Sequence, residues 1–138
     1  MVGDTSAERT TLYTVMTTSF MTTFMGSSIN LALPTMGQEF GSNAIMASWA
    51  ITSYLLASAI FLLPFGRLAD MHGRRRFYLL GTILYTLFTL ATARAHSMQM
   101  VIVFRLLQGL SSAMIFSTGM AILSSVYPPH KRGRALGY

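Results

Sequence analysis

Two concentrations of polar residues interrupt an otherwise apolar chain. Arg105 lies inside the run Met98–Val126 and is its only charged residue. Gln108, Gly109 and Ser112 follow at i+3, i+4 and i+7, so on a helix they share its face. An arginine at the bilayer centre costs about 2.5–3.5 kcal/mol on insertion scales. Two placements are open: Arg105 snorkels to the nearer headgroups, or it forms a polar, inward-facing site with Gln108. The second concentration is Gly66-Arg67-Leu68-Ala69-Asp70-Met71-His72-Gly73-Arg74-Arg75-Arg76. Four arginines, one aspartate and two glycines between apolar runs read as a tight, charged turn on one side of a membrane. A third group is Asn30. Its amide cannot satisfy itself inside a helix, so it wants a protein partner or water, and lining a cavity would supply one.

Other chemistry lacks its residues. The acids are Asp4, Glu8, Glu39 and Asp70, all outside the interiors of the apolar runs. His72, His96 and His130 are far apart, with no carboxylate at ligand spacing, so no metal site is expected. With no cysteine, disulfides, thiol catalysis and thiolate metal sites are excluded. There is no phosphate-binding loop, dinucleotide fingerprint or nucleophile elbow. The sequence predicts neither an enzyme nor a bound cofactor.

The elements that must hold these residues are transmembrane helices. Hydrophobic residues make up 52% and charged residues 10%, against about 25% charged in soluble domains. The net charge of +6 sits in short links and forms no polar face. Lipid headgroups are therefore the expected partner, and nucleic acid is not. Four stretches approach the length needed to cross a bilayer: 12–33, 47–65, 77–93 and 98–126. They lack the two-residue alternation of barrel strands. The predicted fold is an all-α membrane protein with one four-helix domain. Eight of the ten Lys and Arg residues lie before helix 1, between helices 2 and 3, or after helix 4. Only Arg94 lies in a link on the other side. The positive-inside rule then predicts cytoplasmic N- and C-termini. Met1-Val2-Gly3-Asp4 is not a cationic leader, so helix 1 is expected to be retained.

Helix 1 is rich in hydroxyls. Thr14, Thr18, Thr22 and Met25 share one face, and Thr23, Ser27 and Asn30 another. It is expected to end at Leu33-Pro34, and Pro64 is expected to bend or end helix 2. Trp49 suits the outer interface. On helix 4, Gly109, Ala113, Ser117, Ala121 and Ser125 recur every four residues, a seam that lets a neighbouring helix come close. Pro128-Pro129 stop that helix, and 135–138 read as the opening of a fifth.

The charged stretch from Gly66 resembles the signature G-x-L-A-D-x-x-G-R-R/K loop between helices 2 and 3 of the major facilitator superfamily. Arg105-Leu106-Leu107-Gln108-Gly109 resembles that superfamily's R-x-x-Q-G motif. Asn30-Leu31-Ala32-Leu33-Pro34 is similar to the end of helix 1 in its fourteen-helix drug:proton antiporters, and Pro128 to Gly137 to their link into helix 5. The four matches keep the family's order and spacing. The resemblance implies the first four helices of a proton-coupled efflux transporter of the inner cell membrane. Protons, hydrophobic compounds and the remaining helices would be its partners. It implies that Gly66, Arg67, Asp70, Gly73, Arg74 and Arg75 form half of a cytoplasmic gate. Gly66 and Gly73 would serve close helix approach and a tight turn. Arg105, with Gln108, Gly109 and Asn30, would serve proton coupling or the central cavity. A carboxylate among arginines can be paired or unpaired, as a gate requires. One position departs: the aspartate these antiporters carry nine residues before the helix-1 proline is Met25 here, so no acid lies within a helix span. The alternative is a stand-alone four-helix protein acting by homo-oligomerisation or by modulating a full transporter, with the helix-4 seam as its docking surface.

Overall fold

The computed structural model describes residues 5–126. Residues 1–4, and 127–138 with their prolines, basic cluster and expected fifth-helix opening, lie outside the described residues. Four helices make up the rest: α1 Thr5–Glu39, α2 Ala44–His72, α3 Arg74–Ala93 and α4 Met98–Val126. The links are short and capped. Asn43 accepts the Met46 N–H at 3.1 Å to start α2, and the Ser97 hydroxyl accepts the Met100 N–H at 3.3 Å to start α4. Gly41 turns the first link with φ +59°.

Three expected boundaries are corrected. α1 continues past Pro34 to Glu39, and α2 past Pro64 to His72. Each proline removes one backbone hydrogen bond, but the following turns have packing partners. Beyond Pro34, Gly37 sits against Ser42 and the Met98 methyl. Beyond Pro64, Ala69 is buried and Gly66 faces Ser117 of α4. The third correction concerns the charged stretch, which is not a loop. Gly66 to His72 form the last turns of α2, and Arg74 to Arg76 open α3. Gly73 alone joins the two helices, at φ +100°, a region that side chains rarely adopt.

α4 is the centre of the bundle. It runs beside α2 in the same direction: Ser53 donates to the Ile102 carbonyl, Gly109 meets Ala57, and Ser117 meets Gly66. It runs opposite to α3, where Gly81 meets Met114 and Tyr78 meets the Gly119 site. α1 leans on the others through a narrow stripe of Val15, Thr22, Gly26, Leu33 and Gly37. Half of α4's apolar window is buried (50%), against 17% for α2 and 22% for α3. The outer faces of α2 and α3 present leucine and isoleucine, such as Leu55, Leu63, Ile83 and Leu87, as a lipid-facing surface should.

Among the described residues, α2, α3 and α4 are apolar and long enough to span a bilayer. α1 has the length, 35 residues, but not the hydropathy. Its hydroxyls are the reason. Several are masked: Thr14, Thr22 and Ser28 donate to the carbonyl four residues back. On α3, Thr82, Thr86, Thr89 and Thr92 do the same. A hydroxyl bonded to its own helix no longer needs water, so residue hydropathy overstates its cost in lipid.

Candidate functional site: a buried arginine beside a cavity

Two apolar clusters bracket a polar layer. One groups Leu33, Ala50, Met98 and Val101; the other groups Val15, Tyr78, Tyr85, Ile115 and Leu123. Between them lies Arg105, 0% exposed. It does not snorkel. Its NH2 donates to Asn30 Oδ1 on α1 at 2.7 Å, and its NH1 to Gln108 Oε1 at 3.1 Å. The guanidinium lies over the Tyr54 ring of α2, 4.4 Å from its centroid. Such a cation–π contact is worth about 2 kcal/mol or more where water is excluded.

The network continues outward. Gln108 Nε2 donates to Thr89 Oγ1 on α3 at 2.6 Å, and the Tyr54 hydroxyl donates to Ser112 Oγ at 3.0 Å. All four helices thus contribute a group, while Arg105 Nε, buried, has no partner. Among the described residues the only ion pair is Arg74–Asp70, so no carboxylate meets Arg105. Its charge is held by neutral dipoles and an aromatic face.

A cavity of about 200 Å³ opens beside the guanidinium, with Thr23, Ser27, Asn30 and Tyr54 on its wall. A second, of about 390 Å³, lies between α1 and α3 and is lined by threonines, Tyr85, Met21 and Met25. Position 25 therefore faces Tyr85 and Thr89 rather than Arg105.

The remaining expected site residues fall into two groups. Gly109 and Ser117 of α4 face α2, and Ala113 between them is fully buried. At Gly109 an added Cβ would collide with the Tyr54 carbonyl and come within 3.1 Å of Ala57 Cβ. At Gly66 it would meet Ser117 Cβ at 3.8 Å, ordinary contact, so this glycine is not where the helices come closest. In the charged stretch, Arg74 Nε donates to Asp70 Oδ1 at 2.6 Å and its NH1 to the Ala121 carbonyl at 3.0 Å. Arg74 thus ties the α2–α3 junction to the negative end of α4 within the same bundle. Arg67 and Arg75 are exposed. Sequence reasoning missed Tyr54 and Thr89 as site members and Gly81 as a contact, where a Cβ would lie 2.8 Å from Met114 Cβ. An isolated glycine inside a helical run was the available signal for Gly81.

Three helices long and apolar enough to cross a bilayer, packed with α1 around a buried charge, are those of a polytopic membrane protein. The sequence profile of the Major Facilitator Superfamily matches residues 15–138, and the chain belongs to that family. It is 35% identical over 133 residues to the multidrug resistance protein Stp of Mycobacterium tuberculosis, covering 94% of this chain and 25% of that one. It is 31% identical to the riboflavin transporter RibZ of Clostridioides difficile, over 86% of this chain and 26% of that one. It is 32% identical to the multidrug export protein EmrB of Haemophilus influenzae, over 87% of this chain and 24% of that one. The chain thus spans about a quarter of the length of these relatives.

Proposed function

We propose that the chain is the N-terminal part of a proton-coupled transporter that exports drugs or other hydrophobic compounds across the inner cell membrane. The observation that carries this is Arg105, wholly buried where four helices meet and beside a cavity. A buried charge held by neutral partners is expensive. Such sites in membrane proteins mark substrate and ion paths. The names of the multidrug relatives support the substrate class. In this reading Arg105, Gln108 and Asn30 set the polarity of the cavity, and Gly109 holds α2 close behind it. Gly66, Arg67, Asp70, Gly73, Arg74 and Arg75 lie at the cytoplasmic face as half of a gate. With Met25 at the antiporters' usual acidic position, proton carriage by that residue is ruled out, and coupling falls to other groups. As these 138 residues alone the chain does not transport, because alternating access requires a second half.

A chimera tests this. The chain replaces the aligned segment of the Mycobacterium tuberculosis multidrug resistance protein, and efflux is measured in proteoliposomes under an imposed proton gradient. Retained efflux is expected, with none from the chain by itself. A chimera that inserts and folds yet carries nothing refutes the reading, and so does clear proton-coupled efflux by the isolated chain.

A further inference from the structure

A guanidinium has five N–H donors and a full positive charge. At Arg105 two donors have protein acceptors, both neutral amide oxygens, and the buried Nε has none. The described acids are elsewhere. Asp70 is paired with Arg74 at the far end of α2. On α1, Glu39 stands ~13 Å and Glu8 ~33 Å along the axis from Asn30, at the helical rise per residue. The described residues therefore solvate this charge but do not neutralise it.

The adjoining cavity offers a neutralising ligand a place. Its polar wall comprises Thr22, Thr23, Ser27, Asn30, Tyr54 and Arg105, with no acid among them. Thr22 and Ser28 give their hydroxyl protons to the α1 backbone. Among the described residues Thr23 and Ser27 do not, and they share Asn30's face. The volume, about 200 Å³, equals several water molecules at ~30 Å³ each.

We propose that this cavity binds a small monovalent anion, a halide or a short carboxylate, with Arg105 as its charge partner and Thr23 and Ser27 as hydroxyl donors. Both ligands share a compact single negative charge that accepts charge-assisted hydrogen bonds. The proposal deepens, and rests on, the reading of the Arg105 cavity as the functional site. Equilibrium binding is measured without transport, so the two readings fail separately.

The full chain, in zwitterionic nanodiscs free of anionic lipid, is titrated with chloride or acetate against gluconate at constant ionic strength. Chloride NMR line broadening and the shift in unfolding temperature report binding. Saturable binding is expected. Asn30→Asp places a carboxylate within reach of the guanidinium and should weaken it at least about tenfold, while helicity and unfolding temperature hold or rise. Thr23→Val with Ser27→Ala should weaken it about tenfold as well. Arg105→Gln should abolish it, and Asn30→Asp keeps the test decisive if that variant fails to fold. Binding of chloride alone assigns an inorganic ion, and preference for acetate assigns a carboxylate-bearing solute. No saturable binding of either, or binding unchanged in Asn30→Asp, overturns the proposal.

Discussion

Gln108 is the hinge of the polar layer, since it accepts from Arg105 and donates to Thr89. Interhelical hydrogen bonds in bilayers average about 0.6 kcal/mol and reach about 1.7. Gln108→Leu forfeits one such bond, to Thr89 of α3, together with the Arg105 bond within α4, and strands part of a buried cation, so a loss of about 1–3 kcal/mol is expected. Denaturant unfolding in mixed micelles, followed by circular dichroism, measures it; an unchanged midpoint would show that the network adds nothing to stability. Arg105, Gln108 and Asn30 were legible in the sequence because a strongly polar side chain in an apolar run must find a partner. Tyr54 and Thr89 were not. Threonine and tyrosine enter membrane helices as ordinary packing residues, and only the neighbour that selects them reveals the role. Met25 could be placed by counting from Pro34, but its separation from Arg105 is a matter of helix rotation.

Among elements, the four-residue spacing on α4 named a seam without its partner; the structure sets two of its residues, Gly109 and Ser117, against α2, and the points of closest approach were not legible. Spacing says which residues share a face. It does not say where two axes cross. The crossing puts Gly109 over the Tyr54 carbonyl and leaves room at Gly66. Gly109→Ala is therefore expected to cost about 1–3 kcal/mol, the usual range for overpacking. Gly66→Ala should be close to neutral. The same unfolding measurement compares them, and equal losses would contradict the packing described. The helix ends misled because Pro34 was read as a stop and Pro64 as a bend or a stop. A proline late in a helix costs one hydrogen bond, and buried contacts on the next turn outweigh it. Gly73 shows the reverse: its φ compresses what reads as a charged loop into one residue between two helices.

At the scale of the molecule, the distribution of arginines and the two half-exposed partners at the α2–α3 junction lead to different expectations. The Arg74–Asp70 pair is 39% and 55% exposed, and such pairs are worth about 0–1 kcal/mol. Asp70→Asn should leave insertion and orientation unchanged, because arginines outside the span dominate the topology signal. The chain has no cysteine, so Ser42→Cys and His72→Cys, made singly, report the two faces by impermeant labelling. Opposite accessibility is expected, with His72→Cys protected in inside-in vesicles, in both the parent and the Asp70→Asn background. An inverted pattern in Asp70→Asn would show that the carboxylate, and not the arginines, sets orientation. The all-α bundle was legible from composition and run length alone. The shortfall of α1 was not foreseen, since its length met the requirement and its hydroxyl content was read as packing.

The narrow stripe by which α1 touches the bundle has a consequence in time. Asn30 leaves the ribosome 75 residues before Arg105, which at ~5–20 residues per second is a delay of roughly 4–15 s. For that interval the first helix is a hydroxyl-rich segment with no partner for its amide. Its bonds to the later helices, Asn30 to Arg105 and the Thr22 carbonyl to Tyr85, can form only after those helices are made. Assembly here runs against the order of synthesis: Asn30 of α1 waits for Arg105 of α4.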